Sequence, residues 1–232
     1  MNADGRTDIY IGAAESKKGQ LYIQNADGSF LKKEIDILKQ SSGAADDVAI
    51  LFFDYDKDGD ADLLIGPGGN SHPVNSAELE PRLYSNNSKG DFSLVVNAFP
   101  PMGMNIATAI ANDFNNDGYA DLFIGARSYP GIYGKDPQSY LLVNDGKGHF
   151  TDIAASKNAD IAHIGMVTAA AWADIVGDKQ KELIITGEWM APRIFSFDKD
   201  HFKEIKNRRL QRQPECECRY KTGKWYDFYQ LS

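Results

Sequence analysis

The chain has 232 residues, with 33 Asp+Glu against 25 Lys+Arg for a net charge of −8, and 11% of its residues are aromatic. That length is enough to bury a substantial core, and the aromatic content excludes a solvated, disordered tail. The acidic balance speaks against a nucleic-acid or anionic-membrane partner gathered by bulk electrostatics. The longest nearly apolar run, Ile164 to Ala173, falls short of the ~18 residues a membrane helix needs, so no membrane insertion is expected of this segment.

Two motifs alternate along the chain, and a repeat must be tested before any other reading. The chain opens inside the first motif, Asn2-Ala-Asp4-Gly5-Arg6-Thr-Asp8-Ile-Tyr-Ile-Gly12. The second motif follows as Leu21-Tyr-Ile-Gln-Asn25-Ala-Asp27-Gly28-Ser-Phe30. The first motif returns in full as Asp54-Tyr-Asp56-Lys-Asp58-Gly59-Asp60-Ala-Asp62-Leu-Leu-Ile-Gly66, followed by Leu83-Tyr-Ser-Asn86-Asn-Ser-Lys-Gly90-Asp-Phe92. A third unit carries Asp113-Phe-Asn115-Asn-Asp117-Gly118-Tyr119-Ala-Asp121-Leu-Phe-Ile-Gly125 and Leu141-Leu-Val-Asn144-Asp145-Gly146-Lys-Gly148-His-Phe150. The fourth is worn: Asp174-Ile-Val176-Gly-Asp178-Lys179-Gln-Lys-Glu182-Leu-Ile-Ile, then Ile194 to Phe202. The closing acidic residues Asp8, Asp62, Asp121 and Glu182 stand 54, 59 and 61 residues apart.

The apolar runs Leu63–Ile65, Leu122–Ile124 and Leu183–Ile185 are too short for helices and suit buried strands. Asn-Asp-Gly between an apolar run and a Phe marks a hairpin, because these residues tolerate φ > 0. Each unit then holds an inner strand such as Ala107–Ala111, an acidic loop, a second strand and a hairpin of two more. Four antiparallel strands per unit predict an all-β chain, a β-propeller of about four blades, over about 1–43, 44–103, 104–165 and 166–206. A stacked solenoid is the alternative. Open strand edges at the ends of an incomplete ring invite self-association.

The acidic loop has a cation's spacing. Oxygens fall at positions 1, 3, 5 and 9 (Asp54, Asp56, Asp58, Asp62), with Gly59 for the sharp turn and the Asp60 backbone carbonyl at position 7. Hard oxygens at this density suit Ca²⁺ better than Mg²⁺ or Zn²⁺. The EF-hand is excluded, because Ile65 and Ile124 stand where its bidentate Glu belongs and the flanks are strands. Asp113, Asn115, Asp117, the Tyr119 carbonyl and Asp121 form the second expected site. Asn2, Asp4, Arg6 and Asp8 form an incomplete third. Val176 and Lys179 remove the fourth. Two Ca²⁺ would reduce the net charge to about −4.

These residues carry a family resemblance. Asp-x-Asp/Asn-x-Asp-Gly-x-x-Asp followed by Leu-Φ-Ile-Gly resembles the FG-GAP/VCBS repeat, the blade unit of integrin α-chain propellers. Gly125 to Gly131, Ser139 to Gly148, Ile164 to Thr168 and Gly187 to Met190 are similar to bacterial secreted VCBS proteins associated with ASPIC/UnbV domains. The resemblance covers about residues 1 to 206 and implies blades of a seven-bladed, Ca²⁺-binding propeller, secreted, periplasmic or at the cell surface. No ASPIC/UnbV domain follows, and the chain reads as a fragment.

The expected function is non-enzymatic binding of a protein or glycan through loops, with Arg127, Tyr129 and Tyr133 as contact residues. The alternatives are the propeller of a polysaccharide-acting lyase or hydrolase, or a structural stalk. The His residues (72, 149, 163, 201) share no constellation and no nucleophile elbow or phosphate loop occurs, which opposes an enzyme. Trp172, Trp189, Phe52, Phe53 and Phe114 are expected in the packing. After Asn207 the repeat pattern stops, and residues 208–232 hold six Lys+Arg, three Asp+Glu and both cysteines. Two readings of that tail stand: a polar tail or the start of another blade, or a non-native, out-of-frame or chimeric end.

Overall fold

The structure, a computed structural model, describes residues 1–14, 17, 19–33 and 45–206. The expected tail at 207–232, with both cysteines, lies outside the described residues. Four antiparallel sheets follow one another along the chain. The first holds β1 (Ile9–Ile11), β2 (Gln20–Gln24) and β3 (Phe30–Lys33). The second holds β4 (Asp46–Phe53), β5 (Asp62–Gly68), β6 (Arg82–Asn86) and β7 (Phe92–Leu94). The third holds β8 (Asn105–Asn112), β9 (Asp121–Ser128), β10 (Tyr140–Asn144) and β11 (Phe150–Asp152). The fourth holds β12 (Met166–Ala173), β13 (Glu182–Glu188), β14 (Arg193–Asp198) and β15 (His201–Glu204). Each sheet is an up-and-down meander with its strands in chain order. The all-β propeller of about four blades is the architecture observed.

The blades stack face to face, and the second strand of each shows why its apolar run is continuous. In β5, Leu63 and Ile65 join Tyr10 and Leu21 of the first blade, while Leu64 turns to Ile106 and Leu122 of the third. In β9, Leu122 and Ile124 face the second blade, and Phe123 meets Val167, Leu183 and Phe195 of the fourth. A strand sandwiched between two neighbouring sheets is apolar on both faces and shows no alternation.

The Gly after the run in the second and third blades has a steric reason. A Cβ on Gly66 would sit 2.8 Å from Ile106 Cγ2, and one on Gly125 would sit 2.5 Å from Val167 Cγ1. The missing side chain lets the first strand of the next blade lie against the second strand of this one. Of the first strands, β8 accordingly packs against β4 on one side and β12 on the other. All three carry a register shift near the same place, at Asp47/Ala49, Ile106/Thr108 and Val167/Ala169, which bends the strand.

The sequence predicts only strands in the third unit. The structure also places two one-turn helices there, α1 (Ala154–Lys157) and α2 (Ala159–Ala162). They deliver Ala154, Ile161 and Ala162 to the cluster between the third and fourth blades. Asn158 joins the two, accepting from the Asp160 N–H at 2.9 Å and donating to the Phe202 carbonyl at 2.8 Å. Phe53 and Phe114 are buried, and Trp172 stacks on Phe114 at 6.0 Å. Trp189 departs from expectation, being 69% exposed.

Candidate metal centre and loop face

In the second, third and fourth blades the acidic loop joins the first strand to the second, and it is held by its own carboxylates. Asp54 accepts from the Lys57 N–H at 2.7 Å and the Gly59 N–H at 3.0 Å, and Asp58 from the Asp60 N–H at 3.0 Å. The third blade repeats this: Asp113 accepts from the N–H groups of Asp117 at 3.1 Å and Gly118 at 2.8 Å, and Asp117 from that of Tyr119 at 2.8 Å. Positions 4 and 6 of the loop both take the left-handed conformation. They are Lys57 (φ 65°) and Gly59 (90°), Asn116 (58°) and Gly118 (93°), and Gly177 (88°) and Lys179 (76°). Position 6 is legible from its Gly; position 4 is not, because three of its four occupants carry a side chain.

The carboxylates of Asp54, Asp56 and Asp58 converge, each offering an oxygen within 4.8 Å of the others. Asp60 turns its side chain to the β6–β7 hairpin. There Oδ2 accepts from the Ser88 hydroxyl at 2.6 Å, and Oδ1 is buried without a hydrogen-bond partner. Asp62 lies fully buried beneath the loop and accepts from the backbone N–H of Tyr55 at 3.1 Å and of Asn86 at 2.9 Å. In the third blade Asp121, equally buried, accepts from the Asn144 N–H at 3.0 Å. Its Oδ2 is buried with no hydrogen-bond partner.

This electrostatic arrangement is unfavourable on its own. Burial pushes the Asp62 pKa up to about 7, and the charges of Asp56 and Asp58 add to it. Burial likewise pushes Asp121 up to about 7, with Asp117 and Asp113 contributing. Burial also raises Asp56, with Asp58 and Asp54 behind it. Carboxylates whose ionisation is opposed by desolvation and by each other are a good fit for a hard divalent cation, which would reverse that penalty. The oxygen-only donor set fits Ca²⁺.

A family model described as "FG-GAP-like repeat" matches residues 1–65 and 70–124, over half of the chain. The chain belongs to the FG-GAP-like repeat family. No curated protein matches it significantly over any part of its length. The two matched stretches take in the first FG-GAP loop, the Asp54 loop and the Asp113 loop.

The other two acidic loops lack the full set of ligand oxygens. In the first, Asn2 donates to Asp4 at 2.8 Å and Arg6 caps the same carboxylate at 2.5 Å while its Nε reaches the Gln24 carbonyl at 3.0 Å. A guanidinium therefore stands at that incomplete site, and Asp8 accepts from the Gln24 N–H at 3.0 Å. In the fourth, Asp174 accepts from the N–H groups of Gly177 at 2.6 Å and Lys179 at 2.9 Å, and Glu182 from that of Ile175 at 2.9 Å. Val176 stands 59% exposed where a ligand would be. The loop keeps its shape there with the position 3 oxygen gone.

Sequence reasoning took Asn86 and Asn144 only as turn formers. The structure makes each an inter-blade staple. The Asn144 amide donates to the Tyr55 carbonyl of the preceding blade at 2.8 Å and to the Ala120 carbonyl at 3.1 Å. The Asn86 amide does the same to Met1 at 2.8 Å and Ala61 at 3.1 Å. Their place in the recurrent second motif, always after the same apolar run, is the signal that could have found them.

The expected contact residues Arg127, Tyr129 and Tyr133 lie on or beside the β9–β10 connection. Arg127 and Tyr133 both engage Glu188 of the fourth blade. Tyr129 is elsewhere, under the Lys135 ammonium at 4.1 Å.

Proposed function

We propose that the chain is a non-enzymatic, calcium-stabilised FG-GAP propeller module of an extracellular or cell-surface protein, which binds a protein or glycan ligand through its loops. The observation that carries this reading is the convergence of Asp54, Asp56 and Asp58 above buried Asp62. Asp54, Asp56, Asp58, the Asp60 carbonyl and Asp62 would hold one Ca²⁺. Asp113, Asn115, Asp117, the Tyr119 carbonyl and Asp121 would hold a second, and the unpartnered Asp121 Oδ2 supports that assignment. Asn2, Asp4, Arg6 and Asp8 make a third, incomplete set. The ions would act on stability, neutralising loops that otherwise carry buried, mutually repelling carboxylates. Extracellular Ca²⁺ is concentrated enough to fill even sites of ~0.1–1 mM affinity.

Calorimetry of metal-free protein with and without added Ca²⁺ tests the proposal. Two ions bound only by the folded state, each at about 100 times its Kd, raise the melting temperature by about 10 °C or more. An unchanged melting temperature at millimolar Ca²⁺ would sink the metal reading.

A further inference from the structure

Within a meander, the turn from first to second strand and the turn from second to third lie at opposite ends of the blade. The β9–β10 connection (129–139) and the β13–β14 connection (189–192) therefore share the end away from the acidic loops. There the rings of Tyr133 and Trp189 meet edge to face, with centroids 5.2 Å apart at 77°. They are 59% and 69% exposed. Beside them Arg127 donates through Nε at 2.9 Å and through its terminal nitrogen at 2.6 Å to Glu188 Oε1, and the Tyr133 hydroxyl donates to Glu188 Oε2.

The corner is held in place from several sides. The Gly131 N–H donates to Asn70 Oδ1 of the second blade at 3.1 Å, and Asn105 donates to the same oxygen at 3.3 Å. Trp189 itself sits at φ 58°. A bulky residue in the left-handed region is a strained outlier, and such strain persists where the surroundings over-determine it, often at functional sites. Here the conformation carries the indole outwards instead of into the apolar cluster between the third and fourth blades.

We propose that the Tyr133–Trp189 corner, with the Arg127–Glu188 pair beside it, is a carbohydrate-binding site that takes one pyranose unit of a neutral glycan. The exposed ring faces offer an apolar platform for the C–H face of a sugar. The guanidinium and carboxylate keep donor and acceptor capacity in fixed directions for its hydroxyls. These two charges cancel, so the corner has no preference for a phosphate or a cationic peptide. Its size argues against a protein partner. The exposed apolar side chains are Ile132, Tyr133 and Trp189, far short of the ~800 Å² per partner of a stable protein interface. Preorganisation of the rings lowers the ordering cost that weakens small-ligand binding.

This inference rests on the reading of the chain as a non-catalytic binding module. The test titrates full-length, Ca²⁺-loaded protein with cellohexaose, maltohexaose, mannohexaose and chitohexaose, following tryptophan fluorescence and saturation-transfer NMR. Hexagalacturonate serves as the charged control. At least one neutral hexasaccharide binds with a Kd of ~0.1–1 mM. Trp189→Ala and Tyr133→Ala each weaken it about 10-fold or more, Trp189→Phe weakens it less, and all three variants keep the calcium-dependent melting shift. The inference is overturned if none of the four binds at ~10 mM, if Trp189→Ala leaves binding unchanged, or if hexagalacturonate binds best. A calcium shift without sugar binding removes this inference and leaves the metal reading intact; sugar binding without a calcium shift does the reverse.

Discussion

Asn144 makes connections that no apolar side chain of its size could replace. Buried at 2% exposure, its amide bridges two backbone carbonyls, and its Oδ1 accepts from the Gly146 N–H at 2.9 Å. Replacing it with Ala strands those buried groups, so Asn144→Ala is expected to cost about 2–4 kcal/mol in urea unfolding. Asn144→Asp should cost at least as much, because it loses both donors and sets a carboxylate beside buried Asp121. A loss below about 0.5 kcal/mol for either variant would show that the staple does not bear on stability. The fourth blade shows the staple's natural loss. The same position is Phe197, which pairs with Phe202 as Asn144 pairs with Phe150 and has no amide to donate, and Gln180 reaches the Phe197 carbonyl at 2.7 Å. Residue type alone reveals the turn but not the crossing to the previous blade, since that depends on how two sheets stack. Trp189 misleads for the opposite reason. Its bulk and apolarity suggest the core, and no Gly announces the left-handed backbone that turns it outwards.

At the scale of the element, the strands were legible wherever burial on two faces made a continuous apolar run. That pattern picks out β5 and β9, and the Asp-Gly loops before them set where they begin. The helices α1 and α2 were not, because one turn is too short to display a 3.6-residue period. The Gly closing the run in the second and third blades was visible as a motif, but its reason lies in the next blade. Gly125→Ala drives a Cβ to within 2.5 Å of Val167 Cγ1 and 3.0 Å of Thr108 Cγ2. It is expected to destabilise by about 1–3 kcal/mol through overpacking. Adding Val167→Ala should return part of that loss, and a double-mutant cycle in urea measures the coupling. Strict additivity of the two changes would place the cost elsewhere. A related exposure appears at β4, where Val48 is 49% and Ile50 is 37% exposed. Both belong to the innermost strand of the second blade, which has no counterpart in the three-stranded first sheet among the described residues.

For the whole molecule, the acidic loops and the aromatic corner occupy opposite ends of the same blades, so a cation in the loops would act on folding without touching a ligand at the corner. Stability should then couple calcium to pH in a definite direction. Asp62 and Asp121, with pKa values pushed to about 7 from an ordinary 3.8, hold protons more readily in the folded state. Their protonation supports the metal-free fold below pH 4, and that support fades as pH rises through about 7. Ca²⁺ replaces the lost protons, since a cation favours the ionised form that burial opposes. The melting-temperature gain from saturating Ca²⁺, measured on dialysed metal-free protein, is therefore expected to be several degrees larger at pH ~7.5 than at pH ~5. In Asp62→Asn the pH dependence of that gain should flatten, because one of the two titrating groups is gone. A gain that is equal at the two pH values would mean that these buried carboxylates are not the groups the cation neutralises.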